Sequence, residues 1–279
     1  LVFISCETTE LDLTANPNAL GPDQASADLF INAIQEDFAY FVDNMGSPGL
    51  RLTRQLHGFF RDYDNAYTPI AWDGVWSNAY QGIMEDIRLM TILAEDANLS
   101  YYIGMGEVFQ AYIYISLVDY FGDVPYSEAL QGSANLNPSS DGGQSVYQAA
   151  LGLLDSAIAN FSAGGAGPQY DMYYGGDAEK WITAANSIKK KAYLNMGDYS
   201  SYNSITDYIT SSAEDFQFQW GTNVSNPDTR SPIYRSNYTD NGASDFQSNW
   251  LMNRLMVGRG GVRDPRINYL IYRQQGDTP

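Results

Sequence analysis

The stretch Tyr101–Leu130, YYIGMGEVFQAYIYISLVDYFGDVPYSEAL, limits the possible folds more than any other part of the chain. Val108, Ala111, Tyr112, Ile115 and Val118 recur at spacings of three and four, which puts them along one helical face. Phe109, Ile113 and Leu117 line the flank, so little polar surface remains. A helix this apolar has to be walled in by other helices. Gly122 stands where a left-handed C-cap costs least, and Pro125 forbids continuation. Asp123-Val124-Pro125-Tyr126 then reads as a turn, after which Ser127 can cap a short new helical turn.

Helical patterns flank this spine on both sides. Asp23 or Ser26 can cap a helix running to about Asn44, with Leu29, Ala33, Ile34, Phe38 and Phe41 inward. A long loop, Met45 to Asp73, follows; its Leu50–Phe60 part reads equally well as helix. From Trp72 to Asp96 the residues Trp76, Tyr80, Ile83, Ile87, Met90 and Ala94 keep helical spacing. SVYQAALGLLDSAIANF puts Val146, Ala150, Leu153, Ala157 and Phe161 on one stripe. A helix from about Asp177 to Met196 turns Trp181, Ala185, Ile188, Ala192 and Met196 inward. Shorter helices are expected near Ser201–Ser212 and Phe246–Met256. The expected class is mostly α, with tetratricopeptide-like helical hairpins, long irregular loops and little β.

Composition removes several functions. Lys+Arg 15 against Asp+Glu 33 gives a net charge of −18, which repels phosphate backbones and anionic head groups; no nucleic-acid partner is expected. The basic run Lys189-Lys190-Lys191 is too short to reverse this and reads as a solvated face paired with acids. With one histidine, any triad would have to use His57, and zinc ligation lacks ligands. Asp62, Asp64 and Asn65 miss the glycine and glutamate of a calcium loop. No cofactor is expected, with a structural calcium ion left open. Gly258-Arg259-Gly260-Gly261 lacks the ending of a phosphate loop.

FGDVPYSEAL, the Trp76/Tyr80/Ile83 pattern, KWITAANSIKKKAYLNM, Arg263-Asp264-Pro265-Arg266 and an early cysteine after an apolar run occur in one order. Together, over Cys6 to about Arg266, they resemble the SusD/RagB family of nutrient-binding outer-membrane lipoproteins of the Bacteroidetes, in its SusD-like branch. The resemblance implies a SusD-like α/α superhelix. It also implies a non-catalytic protein that captures a glycan at the cell surface and acts as a lid on a SusC-type TonB-dependent transporter. Residues 1–22 would be a lipoprotein signal remnant and polar tether, lipid-anchored through Cys6 at the outer membrane, and residues 23–279 a single helical domain. Family members run longer, so the chain is expected to be truncated at its C-terminus. The composition is rich in platforms for sugar rings, with Tyr 22, Phe 12 and Trp 5. The expected ligand contacts are Tyr63, Tyr67, Trp72 and Asp73 in the first long loop, with Trp250 in a later one. Core packing is an equally good reading for each. A peptide cargo would use much the same surface. The other classes left open are a lipid-anchored glycoside hydrolase and a helical-repeat adaptor with a large protein interface.

Overall fold

The computed structural model describes residues 26–57, 67–238 and 243–271. Cys6, the tether, Tyr63 and the acidic Asp62–Asn65 stretch lie outside those residues. The expected class is observed: helices follow one another, and the described residues hold isolated β-bridges but no strand.

Helix α1 spans Ala27–Leu52, with the Ser26 hydroxyl accepting from the Leu29 N–H. Its buried stripe is Ile31, Ile34, Phe38, Phe41 and Met45, a strict three-four alternation. Leu29 is 46% exposed and Ala33 is also outside, so the expected inner face was rotated by part of a turn. The helix also runs well past Asn44, through Pro48. It is held there from outside: the Tyr120 hydroxyl donates to the Met45 carbonyl at 2.8 Å. Gly49 makes room, since a Cβ there would lie 2.2 Å from that hydroxyl oxygen. The first long loop therefore begins later than the glycines and proline imply.

A short 3-10 turn, Pro69–Trp72, leads into α2, Asp73–Ser77, a wider π-wound stretch, Asn78–Met84, and α3, Glu85–Asp96. Val75, Ala79, Ile83, Ile87, Met90 and Ala94 are buried along this rod, while Trp76 and Tyr80 are half-buried. Helix α4, Ser100–Phe121, is buried on nearly every side, as its composition demands. It packs along α3 and most extensively along α5, Gly143–Ser162, and touches α1 and α6, Ala178–Met196. Leu154, rather than Leu153, completes the α5 stripe. Gly104 permits the close α4–α5 approach, because a Cβ there would sit 3.1 Å from the Phe161 ring. That ring cannot give way, being stacked on Trp181 with centroids 5.7 Å apart.

The turn after α4 ties the hairpin together through side chains. Gly122 has φ of 80°, where a Cβ would be strained. Gly142 gives α5 no capping side chain; instead Asp123 accepts from the Gly143 N–H at 2.9 Å. Val124 and Asp141 form a two-bond antiparallel bridge. The Asp141 carboxylate accepts from the N–H groups of Tyr126 and Ser127, both at 2.9 Å, and from the Ser127 hydroxyl at 2.8 Å. Ser127 thus serves this carboxylate and starts no helix.

Lys190 departs from the expected solvated face. It is 9% exposed, and its ammonium donates to the carbonyls of Tyr202 at 2.8 Å and Ile205 at 3.1 Å. The Tyr202 and Tyr208 rings cover it at 3.9 and 4.3 Å. It fastens α7, Tyr199–Ser204, and the chain after it, onto α6. Lys189 and Lys191 do reach acids, Asp155 and Asp119.

The stabilities of four variants check this packing. Gly104→Val should lower unfolding free energy by roughly 1–3 kcal/mol through overpacking. Gly152→Ala, on the open side of α5, should raise it by up to about 1 kcal/mol. Lys190→Met should cost about 1–3 kcal/mol, because two half-buried carbonyls lose a charged donor. Lys191→Ala, at a half-exposed ion pair, should cost less than about 1 kcal/mol. Urea unfolding of the variants gives the ranking.

Candidate functional site

After α7 the chain runs as Asp215-Phe216-Gln217-Phe218-Gln219-Trp220 with no helix. Its aromatic residues alternate with exposed glutamines, the period of an extended segment with one side held down. Phe216 sits 4.8 Å from the Tyr173 ring and 6.0 Å from Phe38. Phe218 packs on Tyr173 at 5.6 Å and on Trp220 at 4.7 Å, and Trp220 meets Tyr40 of α1 edge-on at 5.4 Å. The buried Gln35 amide fixes the neighbouring loop by accepting from the Met172 N–H at 2.7 Å and donating to the Tyr170 carbonyl. The Met172 carbonyl then accepts from the Gln219 N–H at 3.0 Å. Core packing and one buried amide hold the Trp220 segment against the bundle.

The opposite wall is α8, Pro232–Asn237. Ser231 caps it by accepting from the Tyr234 N–H, and Pro232 opens it. Tyr234 and Tyr238, four residues apart, stack at 4.4 Å with their planes 8° from parallel. The Arg230 guanidinium lies 5.9 Å from the Tyr234 ring. Asp228 holds it in a two-pronged ion pair, Nε–Oδ1 at 3.0 Å and Nη2–Oδ2 at 2.7 Å. These hydrogen bonds hold the Asp228 pKa at about 2.

Between the two walls lies a groove of about 520 Å³, lined among others by Gln217, Gln219, Trp220, Arg230, Tyr234 and Tyr238. Flat aromatic rings beside amides and a guanidinium bind a ring-shaped ligand rich in hydroxyls. Among the described residues, none that lines the groove is a carboxylate. Elsewhere, burial raises the pKa values of Asp37 and Asp86, which also repel each other, but neither lines the groove. Among the described residues no three His, Cys, Asp or Glu side chains come close enough to hold a metal ion.

The residues expected from sequence occupy a different place. The Tyr67 and Trp72 rings meet at a tilt at 5.5 Å, and Trp72 continues onto Tyr120 at 5.7 Å and Phe121 at 5.2 Å, at the end of α4. Both are half-buried, whereas Asp73 is exposed at the start of α2. Trp250 is 46% exposed on α9, Asn249–Val257, with the Arg254 guanidinium 5.4 Å from its ring. Arg51 links the two regions. It bonds to Asp245 at 2.7 Å, just before α9, and interacts electrostatically with Tyr67. None of the four described ones, Tyr67, Trp72, Asp73 and Trp250, lines the groove. Trp220, Arg230, Tyr234 and Tyr238 were missed, although the FQFQW alternation and the Ser231-Pro232 helix start were both readable.

The sequence matches, over residues 21–278, the SusD-like family described as starch-binding and associating with the outer membrane. The chain belongs to the SusD-like family. No curated protein matches it. Its fold is similar to a SusD homologue from Bacteroides fragilis, with a TM-score of 0.64 and 17% identity over 88% of this chain and 52% of that one. A SusD/RagB family protein from Bacteroides thetaiotaomicron gives 0.64 and 20%, over 80% of this chain and 52% of that one. An outer-membrane protein from Bacteroides vulgatus, linked by its description to nutrient binding, gives 0.64 and 17%, over 87% and 52%. This SusD-like chain thus spans about half the length of the solved structures it matches, and no helix among its described residues is long and apolar enough to cross a membrane.

The ion pair that holds the groove's Arg230 has a pH signature. A depressed carboxylate contributes its full stabilisation above the ordinary value of 3.8 and loses it as pH falls through about 2. NMR titration of the Asp228 carboxyl should give a value near 2, and Arg230→Ala should return it towards 3.8.

Proposed function

We propose that this chain is the helical part of a non-catalytic, nutrient-binding protein of the outer-membrane surface, with an oligosaccharide as cargo. The observation that carries this reading is the aromatic groove beside Trp220. It offers stacked rings and polar hydrogen-bonding groups on a family fold described as starch-binding. Sugar rings have two apolar faces and a rim of hydroxyls. The indole of Trp220 and the Tyr234–Tyr238 pair suit the faces, while Gln217, Gln219 and Arg230 suit the rim. A glycoside hydrolase needs two carboxyl groups flanking the scissile bond, and none of the described residues that line the groove is a carboxylate. Binding without cleavage is the simpler use of such a surface.

The rest of the reading follows the family resemblance. Cys6 carries the lipid anchor, residues 1–22 form the signal remnant and tether, and a SusC-like TonB-dependent transporter receives the cargo. Residues 23–279 act as one domain. Tyr63, Tyr67, Trp72, Asp73 and Trp250 are further ligand contacts in this reading, used by longer glycans.

Calorimetry of the full chain against a panel of oligosaccharides and peptides tests the proposal. Saturable glycan binding is expected, weakened about tenfold or more by Trp220→Ala, the size of loss typical of a buried tryptophan anchor. Trp72→Ala should affect longer glycans selectively. Binding of peptides alone would overturn the cargo, and release of shorter sugars during incubation would overturn the non-catalytic role.

A further inference from the structure

Trp220 and Ser231 line a second cavity as well as the groove. This cleft, of about 250 Å³, lies between the C-terminal half of α1 and the start of α8. Its floor is one face of α1. Ala39, Val42, Gly46 and Leu50 recur there at spacings of three and four, beside the stripe that faces the core. A Cβ at Gly46 would meet nothing within 4 Å, so the glycine leaves the floor open. Pro232 and the 55%-exposed Ile233 form the far wall. The lining is apolar except for Ser47, Ser231 and the carboxylate of Asp43. Burial and the nearby Asp245 raise the Asp43 pKa, with Arg235 and Arg51 opposing them.

An unsubstituted sugar presents only hydroxyls beyond its ring faces and has nothing apolar to place in such a cleft. An amino sugar carrying an acyl group does. Its methyl needs a small apolar recess, and its amide N–H needs an acceptor. Both are one indole away from the ring platform. Resting on the glycan-binding reading above, we propose that this cleft is a subsite for the N-acyl group of an amino-sugar residue stacked on Trp220. The acyl methyl lies against Val42, Leu50 and Ile233, and the amide N–H donates to Asp43. The cargo class is then an N-acetylated glycan rather than a plain glucan.

The test is calorimetry on the full chain with matched oligosaccharides that differ only in acetamido against hydroxyl at C2. The pairs are β1,4-linked N-acetylglucosamine against glucose oligomers, and N-acetylgalactosamine-terminated against galactose-terminated disaccharides. In at least one pair the acetylated sugar should bind roughly tenfold tighter or more, since one fitted apolar group in a recess gives that discrimination. Val42→Trp, which fills the recess from an already exposed position, should collapse the difference between the two members of that pair. Asp43→Ala should reduce it in part. Circular dichroism confirms that the variants fold. Equal affinities in both pairs, or a preference that survives Val42→Trp, would overturn the acyl subsite. If binding is equal yet lost in Trp220→Ala, the groove stands and only the subsite falls. If no sugar of either pair binds, or if binding is indifferent to Trp220→Ala, both readings fall. Competition by a peptide with a bulky apolar side chain, sensitive to Val42→Trp, would reassign the cleft to peptide cargo.

Discussion

Helix α4 can exist in water only when other helices surround it. Fourteen of its residues are buried, and Tyr101, Phe109, Ile113, Tyr114, Ile115 and Leu117 point in different directions around the axis. A helix with one apolar stripe needs one partner; one apolar all round needs several. Helices α1, α3, α5 and α6 supply them, each through its own stripe, and the bundle follows from that need. A half-buried acid in the α4–α5 seam is matched as well. Glu107, its pKa raised by burial, accepts from Ser156 at 2.6 Å and Asn160 at 2.8 Å.

The loops owe their shape to polar groups that the bundle fixes in place. Asp123 and Asp141 turn the chain after α4 and cap α5 without a helix of their own. Asp171 does the same between α5 and α6. It accepts from the N–H groups of Tyr173, Tyr174 and Gly176 and from the Trp181 indole N–H at 2.8 Å. Short carboxylates gather backbone donors that no helix or strand satisfies. Loops built this way can be long, irregular and still well packed.

Helix α1 serves two surfaces at once. Its stripe from Ile31 to Met45 belongs to the core, while Ala39, Tyr40, Val42 and Asp43 face the Trp220 segment and α8. The apolar cleft therefore has a rigid floor from the bundle, and the groove beside it is braced on α1 through the Trp220–Tyr40 ring contact. Binding surfaces on helices keep their geometry better than surfaces made of loops alone. One indole, Trp220, separates a polar aromatic space from an apolar one.

Helix positions were legible in the sequence wherever an apolar stripe repeated, because helical periodicity is local and each stripe reports its own element. The stripes of α4, α5 and α6 were read nearly residue for residue. FGDVPYSEAL was legible too, since a positive-φ glycine and a proline act on their own neighbours. What only the tertiary structure decided depends on residues far apart in sequence. The Tyr120 hydroxyl carries α1 past Pro48, two backbone carbonyls and two tyrosine rings turn Lys190 inward, and Gln35 sets the loop that positions Trp220. The aromatic residues of the candidate site were visible as residue types, but which of them packed inward and which faced a cavity depended on the partners each met. Trp72 met Tyr67, Tyr120 and Phe121, whereas Trp220 met Tyr40 and Phe218 on one side and open space on the other. Local patterns determine elements; burial, which is a property of the whole chain, decides what each side chain is for.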